Sequence, residues 1–197
     1  MRTLKVFDPE TLKWVMKAAR PLKGWPNDPR FAIWDGVIMA SNAVMLHAVN
    51  QREYFADVVE DPGEELWVLE LPKGTKPAEV VAHEPLPGEL KLYQSFRKIV
   101  KGYWNLLGHS DWVVDFKRED LPPLTGPWSI KAWQLLRKAG CPFNLEALSR
   151  TISVLGKACL CREEEVLRRY IPLGTGGLPV LLFEGGRYMA LVMPIQA

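Results

Sequence analysis

Phe31-Ala-Ile-Trp-Asp-Gly-Val-Ile-Met-Ala40 is two short apolar runs either side of one dipeptide. Asp35-Gly36 supplies residue types that readily take positive φ, as a two-residue hairpin turn requires. The pattern therefore predicts strands over 31–33 and 37–40, paired antiparallel. After Ser41-Asn42 the apolar run resumes, and Val44 to Val49 predicts a further strand.

Working outward from this hairpin, Leu4 to Phe7 reads as a short strand, and Asp8-Pro9 gives an N-cap with proline at the first helical position. Leu12, Val15, Met16 and Ala19 recur at helical spacing. Lys13, Lys17 and Arg20 fall at i, i+4 and i+7 and form a basic stripe on that helix, which Pro21, Gly24 and Pro26 end. Downstream, the acidic tract Asp57 to Glu65 reads as a loop and Leu66 to Leu71 as a strand. Residues 73–89 are proline-punctuated, predicted irregular, and mark a boundary between halves. Phe96, Ile99, Val100, Tyr103 and Leu107 predict a helix over 94–107 that carries Arg97, Lys98 and Lys101. A strand follows at 112–116, then helices at 128–139 and from Asn144 to Gly156, and a helix-prone stretch at 162–170. Pro179 to Phe183 and Tyr188 to Ile195 close the chain as a hairpin. The apolar run of that last strand is too long for an exposed edge, so it is expected inside a sheet. The fold class is α+β.

With 197 residues, 48% hydrophobic and 24% charged, the chain has the composition of an ordinary globular protein. No apolar stretch is long enough for a membrane helix, and the first residues lack the apolar core of a signal peptide. A cytoplasmic location without membrane contact is expected. Cys141, Cys159 and Cys161 are odd in number and read as free thiols. Cys159-x-Cys161 lacks a zinc spacing, with His47, His83 and His109 remote, so neither metal nor cofactor is expected. Catalytic patterns are missing: there is no G-x-S-x-G, P-loop or H-E-x-x-H. Gly174 to Gly177 lacks the following Lys-Ser/Thr and reads as a turn. Glu163, Glu164 and Glu165 spread around a helix, and Asp111, Asp115 and His109 have no nucleophile. A non-enzymatic role is expected.

The net charge of +2 conceals a strong pattern. Residues 1–30 carry +4, residues 31–90 carry −8, residues 91–138 carry +5 and the remainder +1. A face built from the basic segments would meet a polyanion with the acidic segment turned away.

Three pieces of the sequence resemble the bacterial sliding clamps, the β subunit of replicative DNA polymerase. Leu178 to Ile195, with Met193-Pro194-Ile195, is similar to the family's terminal strand pair and its "M-P-M" ending. Pro142-Phe143-Asn144 with Leu148 resembles its "F-N-x-x-x-L" helix start. Asp28-Pro29-Arg30 followed by Val37 to Leu46 resembles its strand leading to "A-T-D-G-x-R-L", although the Asp-Gly and Arg of that motif are absent. The resemblance implies one clamp-like domain over 1–197, of two βαβββ halves at about 1–90 and 140–197 with a helical insertion at about 90–140. It also implies channel-lining helices, duplex DNA as ligand, replication proteins carrying a clamp-binding peptide as partners, and homo-oligomers.

Carried over residue by residue, the DNA-binding candidates are Lys13, Lys17, Arg20 and Lys23 on or after the first helix, with Arg150 and Lys157 on the second. A basic stripe suits sequence-independent binding, because phosphate neutralisation and counterion release supply affinity without base reading. The competing explanation is a solvated helix face. The peptide-binding candidates are Ser41, Ala43, Met45, Leu46, Leu191, Met193, Pro194 and Ile195, where methionine suits adaptable contacts; an ordinary core is the alternative. A second functional class is a protein-interaction module without DNA binding, such as a phage or mobile-element factor acting on host machinery.

Overall fold

The computed structural model describes residues 1–22, 29–72, 77–106, 113–116, 150, 167–170, 181–185 and 188–192. In chain order the elements are β1 (Arg2–Lys5), α1 (Pro9–Lys17), β2 (Arg30–Trp34), β3 (Val37–Ser41), β4 (Met45–Asn50), β5 (Leu66–Leu69), β6 (Glu79–His83), α2 (Glu89–Leu106), β7 (Val113–Phe116), β8 (Leu167–Tyr170), β9 (Leu181–Gly185) and β10 (Tyr188–Val192). Eight strands form one sheet in the order β1-β6-β5-β2-β3-β4-β10-β9, and β7 pairs with β8 separately. All these pairings are antiparallel. The class is α+β, a mostly antiparallel sheet with helices against it.

Local chemistry explains the elements. Asp8 caps α1: its carboxylate accepts from the Thr11 N–H at 3.0 Å and from the Thr11 hydroxyl at 2.6 Å, and Pro9 needs no partner at this position. Asp35 and Gly36 take φ of 54° and 71°, the paired positive values of the turn expected between β2 and β3. A Cβ on Gly36 would collide with the Arg52 Cβ, so glycine is needed there for space as well.

Successive residues of the central strands point to opposite faces, and both faces are covered. Phe31, Ile33, Ile38, Ala40, Met45 and Val49 pack with Leu12, Val15 and Met16 of α1. Ala32, Met39, Leu46, Ala48, Leu66 and Val68 pack with Tyr93, Phe96 and Val100 of α2. Burial on both sides makes β2, β3 and β4 continuous apolar runs rather than alternating ones. The terminal strand lies inside the sheet, as its apolar run predicts: β10 sits between β4 and β9, with Met189 and Ala190 fully buried.

Several expectations are corrected. Residues 79–83, expected to be irregular, form β6, which fills the space between β1 and β5. Its Val80-Val81 pair is strand-prone, but the segment is short and lies between Pro77 and Pro85, so the proline punctuation hides it. Leu167–Tyr170 is strand β8 where helix was expected. The helix expected over 94–107 starts at Glu89, where the Glu89 carboxylate accepts from the Leu86 N–H and the Glu89 N–H donates to the Leu86 carbonyl. The helices expected at 128–139 and 144–156 lie outside the described residues, except that Arg150 is helical. Among the described residues no helix is long and apolar enough to cross a membrane, and no group of three His, Cys, Asp or Glu side chains gathers as a metal site.

Candidate nucleic-acid interface

Helix α1 is buried on most of its circumference: Thr11, Leu12, Trp14, Val15 and Met16 are all inside. What stays open is one line, with Glu10 exposed, Lys13 and Lys17 half-buried, and Arg20 exposed just past the helix end. The line exists because the remaining positions anchor the helix to β3 and β4.

Arg150, distant in sequence, arrives at the same place. Its guanidinium donates to the Lys17 carbonyl at 3.4 Å, to the Arg20 carbonyl at 2.9 Å and to the Pro21 carbonyl at 2.9 Å. These are carbonyls at a helix C-terminus, where a cation also complements the helix dipole. The Arg20 carbonyl accepts a second bond, from the Asn42 side-chain amide at 2.8 Å, and the Asn42 oxygen accepts from the Val44 and Met45 N–H groups. Fully buried, Asn42 thus ties the end of α1 to the turn between β3 and β4.

The gathering of positive charge is visible in Lys17. Its pKa is lowered, first by burial and then by Lys13, Arg150 and Arg20, with Glu10 opposing. Beneath this cluster, the His47 ring stacks on Trp14 with centroids 4.3 Å apart and planes 4° from parallel. Its Nδ1 lies 2.8 Å from the Trp14 carbonyl, which can only accept, so Nδ1 carries the proton. Burial pushes the His47 pKa down to about 3, with Lys17 and Arg150 acting in the same direction, so the ring is neutral at pH 7.

The structure therefore brings Lys13, Lys17, Arg20 and Arg150 together. Lys23 and Lys157 lie outside the described residues. The other basic helix does not join the group. α2 lies across the sheet from α1, and its Arg97 is held by Asp35 at 2.8 Å and stacks 4.2 Å above the Trp34 ring.

The peptide-site candidates fall at the same end of the sheet. β10 pairs with β4 so that Leu191 stands opposite Leu46, which sets two segments far apart in sequence side by side. Ser41 is half-buried and Ala43 is exposed at φ 72°, whereas Met45 and Leu46 are buried on opposite faces, under α1 and α2 respectively. Met193, Pro194 and Ile195 lie outside the described residues.

Sequence reasoning did not find the polar joints. Asn42 and Gln51 belong to short polar stretches and His47 alone interrupts an apolar run, yet each is fully buried with bonds to backbone. For His47 that isolation was the available signal.

No family model matches the chain, and no curated protein matches it. Among solved structures it is similar to the crystal structure of a "Putative DNA polymerase III beta subunit" from Eubacterium rectale ATCC 33656, at 12% identity and a TM-score of 0.40, over 98% of this chain. The chain spans 66% of that protein's length.

Proposed function

We propose that this protein is a non-catalytic, clamp-like DNA-binding protein that holds duplex DNA without reading its sequence, through Lys13, Lys17 and Arg20 with Arg150 beside them. The observation that carries this reading is that Lys13, Lys17 and Arg20 follow the one open line of an otherwise buried helix and its end, with Arg150 brought beside them. A helix anchored on its other sides presents its charges on a rigid support, and charge alone suffices for sequence-independent affinity. Arg150 contributes chiefly as a fixed positive charge, since its guanidinium is engaged by carbonyls. Lys23 and Lys157 are proposed with them from the sequence, and several copies of the chain encircle the duplex. The element order β1-α1-β2-β3-β4 in the first part of the chain agrees with a βαβββ half.

Fluorescence anisotropy with labelled duplex at low and moderate salt tests the reading. The triple variant Lys13→Ala, Lys17→Ala, Arg20→Ala should bind more weakly on every sequence, with a salt slope shallower by about 0.9 for each phosphate that is no longer neutralised. Wild-type protein without salt-sensitive binding at low ionic strength would end the DNA reading. A native mass that stays monomeric on DNA would end the encircling part of it.

A second reading, an interaction module that captures a replication-protein peptide, is favoured by the side-by-side placement of β4 and β10. The peptide would meet Ser41 and Ala43, with Met45 and Leu46 supporting from the core, and Leu191, Met193, Pro194 and Ile195 are proposed with them from the sequence. Titration of a labelled clamp-binding peptide separates this reading from the first.

A further inference from the structure

The turn after β4 presents an aromatic residue in a conformation and a setting that the fold itself does not require. Phe55 is 94% exposed and has φ 49°, the left-handed region that side chains other than Gly, Asn and Asp seldom enter. The turn is fixed from within. The Gln51 amide oxygen accepts from Val58 and Val59 N–H groups, its nitrogen donates to the Val59 carbonyl, and the Ala56 N–H donates to the Gln51 carbonyl. Arg52 is held by Asp35 and Asp61, and Asn50 and Glu53 bond each other. A rigid turn that carries a bulky ring outward at a left-handed position has no internal use for the ring.

The neighbouring Tyr54 is 46% exposed, and Phe7, whose N–H donates to the Val58 carbonyl, is 50% exposed with its ring under the Lys5 ammonium. The exposed carboxylates of Glu53 and Asp57 adjoin Phe55 in the chain, while Arg52 is engaged with two carboxylates and Glu60 is paired to Arg2. A nucleic acid is repelled by such a rim, whereas a protein pocket lined with apolar groups and edged with cations fits both features.

We propose that the Gln51–Asp57 turn is a docking surface on which Phe55, with Tyr54 beside it and the Glu53 and Asp57 carboxylates on either side in the chain, inserts into an apolar pocket of a protein partner rimmed by Lys and Arg. This surface is separate from the α1 line and does not depend on DNA binding. The test places a photo-crosslinking benzoylphenylalanine at position 55 of the full-length chain in its own host, with the same substitution at the exposed Leu86 as control. The crosslinked protein is then purified and its affinity for uncrosslinked chain measured.

A discrete adduct at 55 that the control lacks, with affinity falling at least tenfold on Phe55→Ala and falling again with salt, is the expected result. No adduct beyond the control, or an affinity that Phe55→Ala leaves unchanged, overturns the proposal. So does an adduct with a second copy of the chain, or Phe55→Ala weakening the binding of a single-stranded oligonucleotide. Phe55→Asn, which keeps the left-handed turn, separates loss of the ring from loss of the fold: it should fold at least as well and bind no better than Phe55→Ala.

Discussion

At the scale of single residues, the buried polar groups carry consequences out of proportion to their number. His47 has an ordinary pKa of 6.5 when unfolded and about 3 when folded, so between those values the unfolded chain binds a proton that the folded chain refuses. Its contribution is full above pH 6.5 and is lost as pH falls toward 3, with a slope of up to about 1.4 kcal/mol per pH unit. Urea midpoints for wild type and His47→Gln across that window should show the variant less stable at pH 7 but with the shallower acid loss. Asn42→Ala leaves the Val44 and Met45 N–H groups without their acceptor and should cost about 3 kcal/mol, read as a lowered urea midpoint with unchanged slope. Phe55→Asn should act the other way and stabilise by about 1 kcal/mol, because asparagine tolerates the left-handed region that phenylalanine resists. Differential scanning calorimetry would register that as a rise of about 3 °C. Of these three roles only that of His47 had a signal, its place alone in an apolar run. Asn42 and Gln51 look like loop residues by type, and only their closed hydrogen-bond sets place them in the core.

Among the elements, those with strong local chemistry were legible. Asp8-Pro9 marks the start of α1, Asp35-Gly36 marks the turn between β2 and β3, and both stand where the residues put them. β6 was missed because its strand-prone Val80-Val81 pair is short and flanked by prolines, and β8 because its charged residues carry no strand signal and pairing with β7 decides them. Joints between elements depend on long-range pairs that no local window contains. Asp35 is one: its carboxylate binds both Arg52 and Arg97, and so ties the hairpin turn to α2. With its side chain 38% exposed, the pairing is screened, and a double-mutant cycle between Asp35→Asn and Arg97→Ala should give a coupling of about 0.5–1 kcal/mol. Arg150 is another such joint. Arg150→Ala should remove about 1 kcal/mol and speed amide exchange in the last turn of α1, since three carbonyls lose a donor there. Exchange at residues of α2 should be unaffected.

For the molecule as a whole, the candidate DNA site was legible in part, because lysines at helical spacing reveal a stripe without revealing what lies against it. The sequence pattern offered two basic helices as allies, and only the packing decides that α1 and α2 occupy opposite sides of the sheet. The same packing orders charge along α1. Its first residues adjoin the Gln51–Glu60 segment, through the bonds from Phe7 and Asp8 to Val58, and its last residues adjoin Arg150. Nine residues span those ends, about 14 Å of helix, with Asp57 and an Arg2-paired Glu60 exposed beside one and Lys17, Arg20 and Arg150 beside the other. Under the DNA-binding reading proposed above, the cations at the Arg20 end would lead toward a polyanion during approach, before any atom touches, and the encounter complexes that form would already be oriented.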